Sequence, residues 1–275
     1  MGSETGRAAQ RGIQSIEVGG QLLRALVHSG RPMALKDLAR EADMSPAKAH
    51  PYMVSFGRLG LIEQDESSGH YRLGPLALQL GLIGLQQADP VQIATPLLNG
   101  LAQAIGLTAA MAVWGDRGAT IVRIAESPAA VHVNMRHGTV FSLTDTASGR
   151  LFGAYLDADE VRQLLEEARQ RQRRLPPPPG LPGALVPAAL PSWKDFAARL
   201  DEVRAHGLSR SEGEIVPGVN AMAAPVFDHT GTMVLALIAI GPAGIFDTGW
   251  TGPVAGALRE AADAASRRLG APARA

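Results

Sequence analysis

The segment 34–58 predicts two short helices separated by a tight polar turn. Apolar residues recur at helical spacing over 35–42 and end at the turn residues Asp43 and Met44. The second helix is predicted to begin after Ser45, a favoured N-cap residue. Its first position is a proline, whose missing N–H would have no intrahelical partner there. Two such helices indicate a helix-turn-helix, in which one helix braces a second that enters the major groove of DNA.

A β-hairpin is predicted directly after the second helix. Residues 61–65 and 70–73 are short alternating runs, and the Gly-containing turn 66–69 joins them. A hairpin in this place is the wing of a winged helix. The winged helix-turn-helix is therefore predicted to span residues 13–74, and the small polar segment 1–12 is predicted to be a disordered arm.

Polar side chains of the second helix and the wing are the candidate contacts to double-stranded operator DNA. Pro51 lies inside that helix, where a proline removes a backbone hydrogen bond and destabilises the helix by roughly 3 kcal/mol or more. We therefore expect the helix to kink or to begin anew at Pro51, with base contacts from residues on either side. The candidate DNA-binding residues are Ser45, Lys48, His50, Tyr52, Arg58 and Arg72.

The formal net charge of the chain is zero, so electrostatic attraction to DNA must be local. Residues 1–75 hold nine Lys and Arg against eight Asp and Glu, a net charge of +1. This balance favours a dimer that binds two half-sites over a single module. Cysteine is absent, which excludes disulfides and thiolate metal ligands. The N-terminus lacks a signal-type apolar segment, and the longest apolar run, 233–240, is too short to span a membrane. A soluble cytoplasmic protein with no membrane partner is predicted.

The region after the wing divides into a linker and a second domain. Residues 75–88 predict a linker helix that is apolar on most sides and packs against its twin in a homodimer. Residues 89–270 predict a separate α+β domain, with a third strand at 131–135. A proline-rich insertion at 175–191 is expected to be a stiff exposed connector within it.

Several short stretches share their order and spacing with one known family. They are Ile13-Gln14-Ser15-Ile16, Arg58-Leu59-Gly60-Leu61-Ile62-Glu63-Gln64-Asp65, Tyr71-Arg72-Leu73-Gly74, Thr146-Ala147-Ser148-Gly149-Arg150, Pro217-Gly218-Val219, Ala223-Ala224-Pro225-Val226 and Gly241-Pro242. From about Ile13 to Leu269, the chain resembles the IclR family of bacterial transcriptional regulators. The resemblance implies an α+β protein with an N-terminal winged helix-turn-helix, a linker helix and a C-terminal GAF-like effector-binding domain. It also implies a homodimer or a homotetramer.

The resemblance further implies which positions line a pocket for a small-molecule effector. Ser148 and Gly149 lie at a predicted helix N-terminus, whose free N–H groups can hold a carboxylate. Family members that bind small carboxylates tend to have polar or thiol side chains at several other positions, whereas this chain has Ala221, Ile238 and Ile240. We therefore expect an aromatic or largely apolar carboxylate. The implied effector-binding residues are Ala147, Ser148, Gly149, Ser211, Glu212, Val219, Ala221, Ile238 and Ile240.

Other functional classes have weaker support in the residues. A winged helix also occurs in some methyltransferases, but the nearest nucleotide-type loop, 240–244, lacks the third glycine of a Rossmann fingerprint. The histidines show no metal-ligand spacing, so neither catalysis, a metal site nor a cofactor is predicted. A further alternative is a ligand-sensing interaction protein whose winged helix has lost DNA binding. Pro51 favours this alternative, because arginine is common at that position in the family and proline cannot replace its contact with DNA.

Overall fold

The computed structural model describes residues 12–126, 135–174 and 189–272, and the chain divides into two compact units at Ala88. Most of the arm predicted at 1–12 and most of the proline-rich insertion lie outside the described residues. The first unit contains, in chain order, α1 (Gln14–Ser29), α2 (Leu35–Glu41), α3 (Pro46–Arg58), β1 (Ile62–Gln64), β2 (Tyr71–Leu73) and α4 (Pro75–Gln87).

The core of the first unit lies where α1, α2 and α3 meet. Leu22, Leu38 and Met53, one from each helix, are almost fully buried. The antiparallel hairpin of β1 and β2 adds Ile62 and Tyr71 to the same core. These three helices and the hairpin form the winged helix-turn-helix that the sequence predicts.

The start of α3 follows from local chemistry. The Ser45 side chain accepts a hydrogen bond from the Lys48 amide at 3.3 Å and so caps the helix. The helix then continues through Pro51 as a single element, so the alternative of a second start at this residue is not observed. The Ser55 hydroxyl donates to the Pro51 carbonyl at 3.0 Å.

The linker helix α4 is apolar, yet all of its residues are at least partly exposed to solvent. None of its residues, all of which the structure describes, is buried. Large apolar side chains between 44% and 65% exposed surround the helix; they are Leu78, Leu80, Leu82, Ile83 and Leu85. A helix of this kind in water requires another surface to cover it. The expected contact with a twin helix stays a prediction.

The second unit is a six-stranded antiparallel sheet with helices on both faces. The strand order is β5-β4-β3-β8-β7-β6. The elements in chain order are α5 (Pro90–Ile105), β3 (Thr108–Gly115), β4 (Gly118–Ala125), β5 (Val140–Phe141), α6 (Ala147–Tyr155), α7 (Ala158–Arg174), α8 (Trp193–His206), β6 (Ser209–Glu212), β7 (Val219–Phe227), β8 (Met233–Pro242) and α9 (Pro253–Arg268).

Alternation of side chains along the strands divides the core into two layers. On one face, Met111 and Leu237 pack with α5 and α9. On the other face, the strands present small residues to α6, α7 and α8, among them Ala110, Ala112 and Ala223. The small side chains bring α6 close to the sheet, and the start of α6 is therefore near the strands that carry the predicted effector-binding residues.

Two short edge strands, β5 and β6, were not predicted from the sequence. Of the third strand expected at 131–135, residues 131–134 lie outside the described residues, and Met135 has irregular backbone. The next described strand is β5, which pairs with β4 through Val140 and Phe141. Within the described ranges, no helix is long and apolar enough to cross a membrane.

Candidate DNA-binding surface and effector pocket

One face of α3 carries a row of exposed residues at spacings of three, four and three. The row consists of Lys48, Pro51, Ser55 and Arg58. The two cations lie at its ends, and the proline between them has no N–H donor. His50 is exposed beside the row. This face therefore offers charge to a phosphate backbone but no polar side chain at position 51.

The remaining predicted DNA-binding residues already have contacts within the unit. The ring of Tyr52 packs against α1, where a β-carbon at Gly19 would lie 2.9 Å from Tyr52 Cδ1. The ring of Tyr52 therefore packs partly against the core of the unit, and its contact with DNA stays a prediction. The Ser45 hydroxyl serves as the helix cap. On the wing, Arg72 Nη2 lies 3.1 Å from Glu63 Oε2.

The tip of the wing is organised by Asp65. Its Oδ1 atom accepts hydrogen bonds from the hydroxyls and the amides of Ser67 and Ser68, over 2.5 to 3.0 Å. The Ser67 hydroxyl, followed by the amide and hydroxyl of Ser68, holds the pKa of Asp65 well below its usual range. The ionised carboxylate thus fixes the turn that joins the two strands of the wing.

A cavity of about 330 Å³ lies in the second unit between the first turn of α6, the strands β6 to β8 and the loop 213–218. Most of the predicted effector-binding residues line it; they are Ala147, Ser148, Ser211, Val219, Ala221, Ile238 and Ile240. The lining also includes residues that the sequence did not suggest, namely Met135, Arg136, Thr139, Phe141, Thr146, Ile215 and Val216.

The floor of this pocket is a row of neighbours on three strands. Ser211 of β6 lies opposite Ala221 of β7, which lies opposite Ile240 of β8. Ile238 is two residues along β8 and therefore on the same face. The Ser211 hydroxyl donates to the Asp145 carbonyl at 3.1 Å, which leaves only its lone pairs for a ligand. The floor is accordingly apolar except for one acceptor.

The first turn of α6 supplies the polar end of the pocket. Thr146 caps the helix by accepting a hydrogen bond from the Gly149 amide at 2.9 Å, so this amide is not free for a ligand, contrary to expectation. The amides of Ala147 and Ser148 have no acceptor among the described residues. The buried Ser148 hydroxyl lies 3.4 Å from Thr146 Oγ1. Two amides and one hydroxyl are therefore available to donate hydrogen bonds to an anion.

Two predicted residues, Gly149 and Glu212, are not part of the cavity lining. Gly149 packs its backbone against Ser142, in a space that no side chain could enter. Glu212 follows Ser211 on β6, and because successive side chains of a strand alternate, it points away from the pocket and is exposed.

Arg136 is the functional candidate that sequence reasoning missed. Its side chain is exposed, lines the pocket, and has no hydrogen-bond or ion-pair partner within the described residues. Its segment is tied to β4, since the Gly138 amide donates to the Ile121 carbonyl at 2.8 Å and the Ile121 amide donates to Thr139 at 2.9 Å. A cation is thereby held at the rim of an apolar cavity. No residue spacing in the sequence signals this arrangement.

In the described part of the chain, no three His, Asp or Glu side chains lie close enough together to hold a metal ion.

Comparison with known proteins places both units in one family. Residues 15–66 match the IclR helix-turn-helix domain, and residues 84–267 match the model of the bacterial transcriptional regulator IclR C-terminal domain. The glycerol operon regulatory protein of Streptomyces griseus is 30% identical over 263 residues, which cover 95% of this chain and 98% of that protein. The transcriptional repressor IclR of Escherichia coli is 26% identical, with 84% and 80% covered.

Solved structures agree with the sequence comparisons. The crystal structure of HmgR from Pseudomonas aeruginosa superimposes with a TM-score of 0.82 at 34% identity, covering 95% of this chain and all of that one. IclR-family members are transcriptional regulators that bind operator DNA and effectors, not enzymes. Because the C-terminal model alone matches more than half of the residues, the chain belongs to the IclR family of bacterial transcriptional regulators.

Proposed function

We propose that the chain is a sequence-specific DNA-binding regulator under the control of a small-molecule effector, and that the effector is an aromatic or largely apolar carboxylate. The observation that carries the effector class is the composition of the pocket. Its floor of Ala221, Ile238 and Ile240 is apolar, whereas Arg136 stands unpaired, among the described residues, at the rim. An apolar body with one anionic group matches this distribution.

The size of the pocket supports the same class. An apolar cavity of roughly 150 Å³ is enough to hold benzene, and this one measures about 330 Å³. One aromatic ring with its substituents would fill most of that space. A two- or three-carbon acid would leave the apolar floor in contact with water, at a loss of roughly 25 cal/mol for each Å² left exposed.

The anionic group has two candidate partners. The guanidinium of Arg136 can form a charge-assisted hydrogen bond to a carboxylate. The amides of Ala147 and Ser148 at the start of α6 can donate hydrogen bonds to the same group, which the positive end of the helix dipole also attracts.

Calorimetry with a defined panel tests the effector class. We expect benzoate, 4-hydroxybenzoate or phenylacetate to bind, and glyoxylate and pyruvate not to bind. Glycerol belongs in the panel because the S. griseus relative is a glycerol operon regulatory protein. Arg136→Gln should weaken binding of the aromatic acid by about tenfold or more, whereas Arg117→Gln, in the β3–β4 turn, should not. Tight binding of glyoxylate, pyruvate or glycerol with none of an aromatic acid would contradict the proposal.

The DNA-binding role would belong to the winged helix-turn-helix at 13–74, joined by the linker helix to the effector-binding domain at 89–270. We propose a homodimer or a homotetramer, in which an effector acts by binding one arrangement of the winged helices better than another. A salt-titrated mobility shift on DNA from upstream of its own and adjacent genes tests this. Lys48→Ala should weaken the specific complex and leave effector affinity unchanged, and Lys194→Ala on α8 is the control.

A second candidate function rests on Pro51. Because it occupies the middle of the exposed row on α3, the winged helix could serve protein interaction rather than DNA binding. Sequence-blind binding, or none, in the mobility-shift assay would favour that function.

A further inference from the structure

We propose that Arg150 and Glu214 are positioning residues of the effector pocket: together they clamp the loop 213–218 against the start of α6, so that this loop forms a closed wall of the cavity. The inference rests on the proposed function for the identity of the ligand, but not for the clamp itself.

Arg150 is a buried cation with every hydrogen bond directed at a wall of the pocket. Only 6% of its side chain is exposed. Nη1 donates to the Thr144 carbonyl at 2.8 Å and to Glu214 Oε2 at 2.5 Å. Nη2 donates to Glu214 Oε1 at 3.3 Å and to the Arg210 carbonyl. The fork of one guanidinium thus joins three separate segments of the chain.

Each of those segments carries a residue that lines the cavity. Thr146 follows Thr144 by two positions, Ser211 follows Arg210 directly, and Ile215 follows Glu214 directly. Arg150 itself lies two positions after Ser148 on α6. Movement of this one side chain would therefore disturb the polar end, the floor and the loop at the same time.

Apart from the clamp, the backbone hydrogen bonds of the loop lie mainly at its two ends. Its ends are Gly213 and Gly218, both in the left-handed region with φ of +66° and +81°. Ile215 and Val216 line the cavity but remain 48% and 50% exposed. Within the loop, the Gly213 amide donates to Val219 and the Val219 amide to Val216, at 2.9 and 3.0 Å. These two bonds close the loop on itself. The Ala243 amide also donates to the Gly218 carbonyl at 2.8 Å, which anchors the end of the loop to the segment after β8, but none of these bonds reaches α6.

The energetics favour a clamped loop. If the loop swung away, the buried guanidinium would lose its carboxylate, and an unpaired charge in a buried place is strongly unfavourable. A ligand that touches Ile215 and Val216 gains those contacts only while the clamp is closed. A ligand that binds the clamped state more tightly than the open state shifts the equilibrium between the two states toward the clamped one.

The test uses the full chain with Glu214→Ala and Glu214→Gln, and Glu212→Ala as the matched control. Glu212 is an exposed carboxylate on the adjoining strand, 3.8 Å from Arg210 Nη1. Hydrogen exchange of the ligand-free protein is measured first. We expect exchange at residues 213–219 to rise about tenfold in Glu214→Ala, less in Glu214→Gln, whose amide oxygen still accepts, and not at all in the control.

Calorimetry with benzoate then links the clamp to the pocket. Glu214→Ala and Arg150→Lys, which keeps the charge but loses the fork, should each weaken binding about tenfold. Equal exchange in Glu214→Ala and Glu212→Ala would overturn the clamp, and so would a rise spread over the whole sheet. If the wild type bound no aromatic acid, the proposed effector class would fail, while the exchange experiment would still decide the clamp.

Discussion

Gly149 lies so close to Ser142 that a β-carbon at residue 149 would overlap the carbonyl oxygen of residue 142 and lie 2.8 Å from the Cα of Leu143. The first turn of α6 is therefore pressed against the segment that leads into it. Only glycine permits this approach, and the approach brings the amides of Ala147 and Ser148 to the pocket.

Gly149→Ala should consequently destabilise the second unit and weaken effector binding. Because backbone atoms must shift to admit the methyl group, we expect a loss of about 2 kcal/mol in the free energy of unfolding. Chemical denaturation measures this loss. Gly100→Ala on α5 is the control, since no atom lies within 4 Å of its added β-carbon. That change should stabilise the helix by roughly 0.5–1 kcal/mol, and equal effects of the two changes would refute the tight contact.

The wing should loosen in acid. The pKa of Asp65 is lowered in the folded protein, chiefly by the Ser67 hydroxyl. The stabilisation is therefore present above the unfolded pKa of about 3.9 and is lost as the pH falls through the lower folded value. Carboxyl NMR titration should show that Asp65 stays ionised below a pH of about 3.9, the ordinary pKa of an aspartic acid side chain. A titration of Asp65 at the ordinary value would show that the hydrogen bonds do not persist in solution.

Asp65→Ala should have a matching effect at neutral pH. The turn would lose an acceptor of four hydrogen bonds, so Arg72 on the wing would be less well positioned for phosphate. We expect weaker operator binding in a mobility shift at fixed salt, with Glu66→Ala, a change in the same turn, close to wild type.

Features of the fold and the candidate site were predictable from the sequence where neighbouring residues determine them, and were not predictable where distant residues do. Ser45 and Pro46 specify the start of α3 through capping chemistry, and the structure has that start. Tyr52 was also decidable, because it adjoins the buried Ala49 and Met53 on the helix and so faces the core. The helical spacing from these two residues therefore already indicated the packing of the Tyr52 ring.

The errors at the pocket have non-local causes. β6 is four residues long and polar, so nothing in its sequence identified a strand or showed that Glu212 alternates away from Ser211. Arg136 reaches the pocket only because its segment pairs with β4, a tertiary contact that spacing does not reveal. The apolar floor was anticipated through the family resemblance rather than through periodicity.

Replacing Pro51 should test the composition of the recognition face. Pro51→Arg would add a cation between Lys48 and Arg58, so we expect tighter operator binding and a steeper salt dependence, by about one unit of slope. Pro51→Ala is the control, because it restores the backbone N–H at this position without adding a charge. If the arginine and alanine variants bound DNA equally, residue 51 would have no contact with phosphate or base.

The exposed helix α4 predicts an assembly that can be disrupted. Leu78 and Leu82 are one turn apart and more than half exposed. The double change to glutamine should convert the proposed oligomer into monomers in sedimentation velocity, with little change in thermal unfolding of the second unit. Gln79→Ala and Gln86→Ala on the same helix are controls. An unchanged sedimentation coefficient would show that α4 is not the contact.

The row of Ser211, Ala221 and Ile240 has a consequence for the range of compounds that such a regulator could bind. These side chains project from strands whose backbone pairing does not depend on their chemistry. Under the proposed function, substitutions at this row would change which compound binds the pocket and leave the strand pairing and the winged helix-turn-helix unchanged. One winged helix-turn-helix, reading one promoter, would then serve for different compounds without any change in its own residues.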